Sequence, residues 1–405
     1  MQPTRREAFR FWLKLGFISF GGPAGQIAIM HREVVEERRW IGETAFMQAL
    51  NVCMLLPGPE ALQLAVWLGW RLHGVAGGLV AGLCFIVPSM AILLALSFIY
   101  AVHGDVPMVA AALTGLKATV IALIVQALVP VARRALAHPV HWLLAVAAFA
   151  LLAGRFAPFP LVLAGSALAG MLAGGGEAGR PAATAHAGFP WRTLAAGVAL
   201  WAAPAVAIVT LAGPQSLLAA LYRFFSSAAL VTFGGAYAIL AWVNQQAVEH
   251  FGWITQTDAI AGLALAETTP GPLIMVLQFV GFMAGWHGSS GDGGEATVAA
   301  LLTSWATFLP AFVVILLAAP YVLRLAENRR LAAALAGVTA AVVGVIASLA
   351  LAFGRSVLFP AGFESPDWSS IAIAAAAFAM LQWTRLDMLW VIAGGLVAGL
   401  ALGFA

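Results

Sequence analysis

Two copies of the tripeptide Pro-Gly-Pro interrupt apolar stretches of this 405-residue chain: Pro57-Gly58-Pro59 within LLPGPEALQ and Pro270-Gly271-Pro272 within ETTPGPLIM. Proline removes a backbone donor and pushes the residue before it out of helical geometry, while glycine accepts dihedrals that other residues resist. Each tripeptide therefore ends one helix and starts another. The copies lie 213 positions apart (270 minus 57), and the same offset relates Phe20-Gly21-Gly22 to Phe233-Gly234-Gly235, Trp40-Ile41 to Trp253-Ile254 and Arg10-Phe11 to Arg223-Phe224. These ungapped matches predict a duplicated unit, with residues 1–172 as the first copy, 191–405 as the second and the Gly/Ala-rich stretch 173–190 as the linker.

What surrounds the breaks is strongly apolar. Hydrophobic residues make up 62% of the chain and charged residues 9%, with a mean hydropathy of +0.95, against roughly 25% charged in soluble domains. Runs such as Val75 to Tyr100 and Leu331 to Ala352 are long enough to cross about 30 Å of hydrocarbon at about 1.5 Å per residue. They lack the alternation of a membrane barrel, which leaves helices. About thirteen hydrophobic elements can be counted. The pieces flanking the first break, Phe46 to Leu56 and Ala61 to Leu72, are too short to cross alone. The expected fold is an all-α polytopic membrane protein of two inverted-topology repeats with broken or re-entrant helices.

Orientation follows from lysine and arginine, which accumulate in short cytoplasmic loops. In the first copy they fall at Arg5, Arg6, Arg32, Arg38, Arg39, Arg71, Arg133 and Arg134. The stretch equivalent to Arg32 to Arg39 is QQAVEHFG, which has no lysine or arginine, and the basic loop of the second copy is instead Arg324 to Arg330. The reversal predicts opposite insertion of the two copies, with the N-terminus inside and the C-terminus outside. Arg155 and Arg355 then fall on the outer side, against the trend.

Other function classes find little support. A net charge of +3 is too small to argue for nucleic acid. Cys53 and Cys84 sit in apolar runs and read as buried hydrophobes. HREVVEERRW lacks HExxH and reads as a solvated interfacial helix, so no metal or other cofactor is expected. There is no GxxxxGK[ST] loop for ATP coupling, and MQPTRREAFRFW carries no cleavable signal core. The insert GSSGDGGE reads as a solvent loop, and it explains why Pro88 matches Pro310 at an offset of 222.

Discontinuous helices in duplicated membrane proteins suit transport, with the site at the repeat interface. A helix that starts after a break points free N–H groups and its positive dipole end into the gap, where an anion fits. The candidate binding residues are the breaks themselves, Gly21, Gly22, Pro57, Gly58, Pro59, Gly234, Gly235, Pro270, Gly271 and Pro272, with the polar side chains nearest them. Glu60 and Gln63 follow the first Pro-Gly-Pro, and Glu267, Thr268 and Thr269 precede the second. Arg10 and Arg223 are the basic pair at the repeat offset, and Lys14 lies one turn beyond Arg10. Carboxylates beside an anion site must be protonated when the anion binds, which would couple proton movement to the substrate.

FGGPAGQIAIMHREVVEERRW with LLPGPEALQLAVWLGWRLHG, and FGGAYAILAWVNQQAVEHFGW with ETTPGPLIMVLQFVGFMAG, resemble the chromate transporter family in its long two-domain form over nearly the whole chain. The resemblance implies efflux of chromate across the bacterial inner membrane, chromate resistance, a role for the proton gradient, and sulfate as a similar dianion. Ala236 stands where the first Gly-Gly motif has Pro23, so that position is not used as a ligand. The remaining readings are a sulfate or other oxyanion carrier, an importer, an anion channel and an intramembrane enzyme, for which no nucleophile–base pair is visible. The expected partners are the dianion, protons and membrane lipid, with a homodimer left open.

Overall fold

The computed structural model describes residues 3–20, 22–104, 106–173, 188–233, 235–325, 329–384 and 386–403. Gly21, Gly234, most of the expected linker and residues 326–328 of the second basic loop lie outside the described residues. The described chain is helical throughout. In order, the helices are α1 Arg5–Ile18, α2 Gly22–His31, α3 Glu43–Cys53, α4 Glu60–His103, α5 Pro107–Ala135, α6 Pro139–Ala153, α7 Phe159–Ala173, α8 Trp191–Leu211 and α9 Leu217–Leu230. They continue with α10 Ala236–Asn244, α11 Gln256–Thr268, α12 Val276–Gly288, α13 Gly293–Ala318, α14 Val322–Leu325, α15 Arg329–Leu358, α16 Trp368–Trp383 and α17 Met388–Gly403. Among the described residues five helical stretches are long and apolar enough to cross a membrane: Glu60–His103, Pro107–Ala135, Trp191–Leu211, Gly293–Tyr321 and Arg330–Leu358. Together with the shorter apolar helices this makes a multi-pass membrane protein.

The local backbone repeats where the sequence does. A π-helical turn at Arg32–Glu37 is matched 213 residues later by Gln245–His250. The turn that follows closes with Trp40 N donating to Val34 O (2.9 Å), and again with Trp253 N donating to Ala247 O (2.8 Å). Helix α4 is two arms, because His73 and Gly74 leave helical geometry and Gly74 takes φ +65°. The arms fold back on one another, with Gly69 against Gly77 and Ala81, and Gly78 and Gly82 against Val66. α12 and α13 form the corresponding hairpin, where Gly281 faces Thr303 and Gly285 faces Ala296. The expected solvent insert reduces to a turn at residues 289–292, and Asp292 caps α13 by accepting from Gly294 N and Glu295 N.

The chain clusters into two compact units. The first comprises Met1–Ala95, Gly176–Ile239 and Thr269–Ala332, so it takes α1 to α3, most of α4, α8, α9 and α12 to α14. Its core holds fully buried Trp12, Phe46, Trp67, Phe85, Phe225 and Phe279. The second comprises Leu96–Gly175, Leu240–Thr268 and Ala333–Ala405, built on α5 to α7, α11 and α15 to α17. Lipid removes the hydrophobic drive between helices, so this unit packs through small residues that bring backbones close. Gly115 lies against Gly395 and Gly399, and Gly170 against Gly337.

Candidate functional site

All four chain breaks expected from the sequence are present, and hydrogen bonds tie them in two pairs. α1 ends at Ile18 and α2 starts at Gly22; α9 ends at Leu230 and α10 starts at Ala236. The Pro-Gly-Pro segments separate α3 from α4 and α11 from a short 3-10 turn, Leu273–Met275, that leads into α12. Gly58 N donates to Thr232 O at 2.8 Å, and Gly271 N donates to Ser19 O at 2.8 Å. Both donors and both acceptors are related by the 213-residue offset, so each Pro-Gly-Pro glycine is hydrogen-bonded to the Gly-Gly break of the other copy. The acceptor residues are braced alike: the Ser19 hydroxyl donates to Leu15 O and the Thr232 hydroxyl to Ala228 O, each at 2.6 Å. Gly58 and Gly271 adopt φ +127° and +93°. Their missing Cβ atoms matter too, because one on Gly58 would sit 2.8 Å from the Ala311 methyl and one on Gly271 2.7 Å from the Ser89 Cβ.

Amide side chains complete the junction. Gln63 is fully buried, and its Nε2 donates back to Pro57 O at 2.7 Å, closing the turn. Gln26, which the sequence reading overlooked, is also fully buried; its Nε2 reaches both Gly271 O (2.5 Å) and Ser19 O (3.3 Å). The Oε1 atoms of both glutamines, and the Ser89 hydroxyl beside Gly271, have no hydrogen-bond partner among the described residues. Buried polar atoms of this kind are costly unless something fills their valence. Glu60 opens α4, with Oε1 3.6 Å from where a Cβ on Gly235 would stand. The first unit thus surrounds its breaks with amide, hydroxyl, backbone N–H and one carboxyl group. Pro57 is half-buried and Pro59 buried; Gly22 and Gly235 are half-buried with positive φ.

At the second break Pro270, Gly271 and Pro272 are buried, as are Glu267 and Thr269. The Thr268 hydroxyl donates to Leu265 O at 2.7 Å. The basic candidates are elsewhere. Arg10, Lys14 and Arg223 are all exposed; Arg223 donates to Ala219 O and Pro214 O, which ties it to its own helix start. Arg10 and Lys14 line a cavity of about 350 Å³ with Glu7, Phe11 and Arg38.

HREVVEERRW departs from the solvated helix expected of it. Glu33 is 4% exposed, and it accepts from Lys14 Nζ at 3.0 Å and Arg38 Nε at 3.2 Å. Burial would raise its pKa, but the bonds and charges of Lys14 and Arg38 outweigh this and hold the carboxyl below its ordinary range. His31 pairs with Glu36 (3.2 Å) and Glu43 (2.7 Å). Among the described residues no group of three or more His, Cys, Asp or Glu could hold a metal ion. Cys53 is buried as expected, whereas Cys84 is half-buried.

A second polar cluster also escaped the sequence reading. In the second unit Asp258 is buried and accepts from the Tyr100 hydroxyl at 2.7 Å and from Thr255 N and Oγ1. Its charge acts on Lys117, half-buried on α5. A lysine alone in the apolar run Pro107 to Val131 was the available signal, since ionisable groups at membrane depth are expensive.

A family model described as chromate transporter matches residues 6–171 and 219–400. The chain is 34% identical over 404 residues to the chromate transport protein of Pseudomonas aeruginosa, covering 98% of this chain and 91% of that protein. It is 30% identical over 358 residues to a probable chromate transport protein of Synechococcus elongatus, covering 87% and 85%. A chromate transport protein of Cupriavidus metallidurans is 26% identical over 418 residues, covering 98% and 93%. No solved structure matches the chain.

Proposed function

Because the chain belongs to the chromate transporter family, we propose that it is a secondary active transporter that exports chromate from the cytoplasm across the bacterial inner membrane and so confers chromate resistance. Family membership supports transport of the oxyanion and not an enzymatic role. The observation that carries the site assignment is the reciprocal pair of hydrogen bonds, Gly58 N to Thr232 O and Gly271 N to Ser19 O, which joins each Pro-Gly-Pro break to the Gly-Gly break of the other copy. We read residues 1–172 and 191–405 as two repeats of opposite insertion, joined by 173–190, so that helix starts of opposite direction face the anion.

In this reading the anion is held by helix-start N–H groups after Pro59 and Pro272 and by the amide and hydroxyl groups around the breaks. Glu60 beside the first break and Glu267 before the second take up protons so that the dianion is not repelled, which makes the carrier a proton-coupled antiporter. Exposed Arg10, Lys14 and Arg223 raise the local anion concentration at the protein surface and do not touch the anion at the breaks.

The test is flux of labelled chromate and sulfate into everted membrane vesicles, with and without an imposed proton gradient. Chromate accumulation that depends on the gradient and is lost in Glu60→Gln or Glu267→Gln is the expected result. Unchanged gradient-dependent flux in both variants sinks the coupling role of the carboxylates. Accumulation of sulfate in preference to chromate reassigns the substrate while leaving the site in place.

A further inference from the structure

The second unit contains its own polar cavity, of about 310 Å³, whose wall includes Arg155, Asn244, Glu249, Gln256, Arg355 and Trp242. That volume is at the low end of the roughly 300–1,000 Å³ typical of small-molecule sites. Three ionised side chains line it, two arginines and one glutamate, so its charge is net positive. Arg155 uses one nitrogen on Glu249 at 2.6 Å, which leaves the rest of its five-donor fork uncommitted. Arg355 lies over the Phe363 ring at 5.5 Å and has no carboxylate partner among the described residues.

The repeat shows that one group in this cavity lacks its partner. Asn244 is 9% exposed, and its amide bonds Gln256 at 3.3 Å while the Oδ1 atom is unpartnered. The residues equivalent to Asn244, Gln256 and Glu249 in the first copy are His31, Glu43 and Glu36. There His31 is satisfied at both ring nitrogens, by Glu43 and by Glu36. In the second copy the equivalent of Glu36 has turned away to Arg155, and among the described residues nothing replaces it at Asn244. Asn244 and Gln256 can reverse their amides together, so the open end can either donate or accept. Two arginine forks and an adaptable amide, within a wall that also carries Phe159 stacked on Trp242 at 5.7 Å, suit a tetrahedral oxyanion group.

We propose that this cavity binds a phosphate- or sulfate-type oxyanion, either free or as the headgroup of a phospholipid, independently of the site proposed at the helix breaks. It also accounts for Arg155 and Arg355, the two arginines that oppose the orientation bias of the loops.

The test uses the full chain, purified and delipidated, with sulfate binding followed by calorimetry in one arm and retention of phosphatidylglycerol followed by native mass spectrometry in the other. Arg355→Gln and Asn244→Leu are expected to weaken binding roughly three- to tenfold, as suits exposed charge pairs and one buried hydrogen bond. Glu249→Gln, which frees Arg155, is expected to strengthen it, and this variant decides the matter where a loss variant fails to fold. Arg192→Gln, an exposed arginine on α8, leaves binding unchanged. Changes in the sulfate arm identify a free-anion site, and changes confined to the lipid arm identify a headgroup site. Equal binding of both probes by the wild type, Arg355→Gln and Glu249→Gln overturns the proposal.

Discussion

Gly58 shows how much a single position can carry at the junction of broken helices. Its φ of +127° is strained for any residue with a side chain, and an added methyl would collide with Ala311 and the Gln63 amide, each at 2.8 Å. Gly58→Ala is expected to cost about 2–4 kcal/mol, combining backbone strain with overpacking. Gly235→Ala meets only strain, at φ +98° with its nearest neighbour 3.6 Å away, and is expected to cost about 1–2 kcal/mol. Thermal unfolding midpoints of the two variants in detergent should fall in that order. Glu33 gives a pH prediction. Its carboxyl is depressed below the ordinary value of 4.5 when folded, so its contribution is complete above that pH and is lost as pH falls through the lower folded value. The unfolding midpoint of the wild type should therefore drop more steeply than that of Glu33→Gln as the pH is lowered from about 5 to about 3. The sequence marks Glu33 as one of several alternating charges. Only the structure shows that it is the buried one, with Lys14 reaching it from α1, because charge order along a chain carries no information about depth.

At the level of elements, the breaks were legible because proline and glycine act locally. The split of α4 at His73-Gly74 was legible too, since it falls between the separate apolar runs Ala61 to Leu72 and Val75 to Tyr100. What those arms do next depends on contact. They fold into a hairpin because Gly69, Gly77, Gly78 and Gly82 let the backbones meet, and Gly82 also admits the Phe312 ring from α13. Gly82→Val fills that space and is expected to lower stability by about 2–3 kcal/mol, while Gly74→Ala tests the turn alone. Loss of folded protein on size-exclusion chromatography for Gly82→Val, with Leu13→Val at an exposed apolar position unaffected, is the outcome to look for. Gln26 and Lys117 were missed for a related reason. One polar residue in an apolar run signals an expensive burial, but its partner, Gly271 for Gln26 and Asp258 for Lys117, lies more than a hundred positions away.

For the whole molecule, the proposed opposite insertion of the two copies makes equivalent positions report from opposite sides of the membrane. Glu37 and His250 are 213 positions apart, both exposed, and end the two π-helical turns. In a background with Cys53 and Cys84 replaced by alanine, Glu37→Cys should be protected from an impermeant maleimide in intact cells and His250→Cys labelled. Labelling of both from the same side would remove the inverted arrangement and with it the convergence of opposed helix starts on one anion. The chain by itself determined that it lives in lipid, that its helices are broken, and that the breaks come in pairs. Those properties follow from local covalent chemistry and from the cost of placing residues in hydrocarbon. Only the tertiary structure decided that each Pro-Gly-Pro glycine bonds the Gly-Gly break of the other copy, that the basic candidates stay at the surface, and that Asn244 lacks the partner His31 has. The first depends on segments that meet across 174 (232 minus 58) and 252 (271 minus 19) positions, the others on burial and on which side chain reaches which, and a hydrogen bond between distant segments leaves no mark on the composition of either.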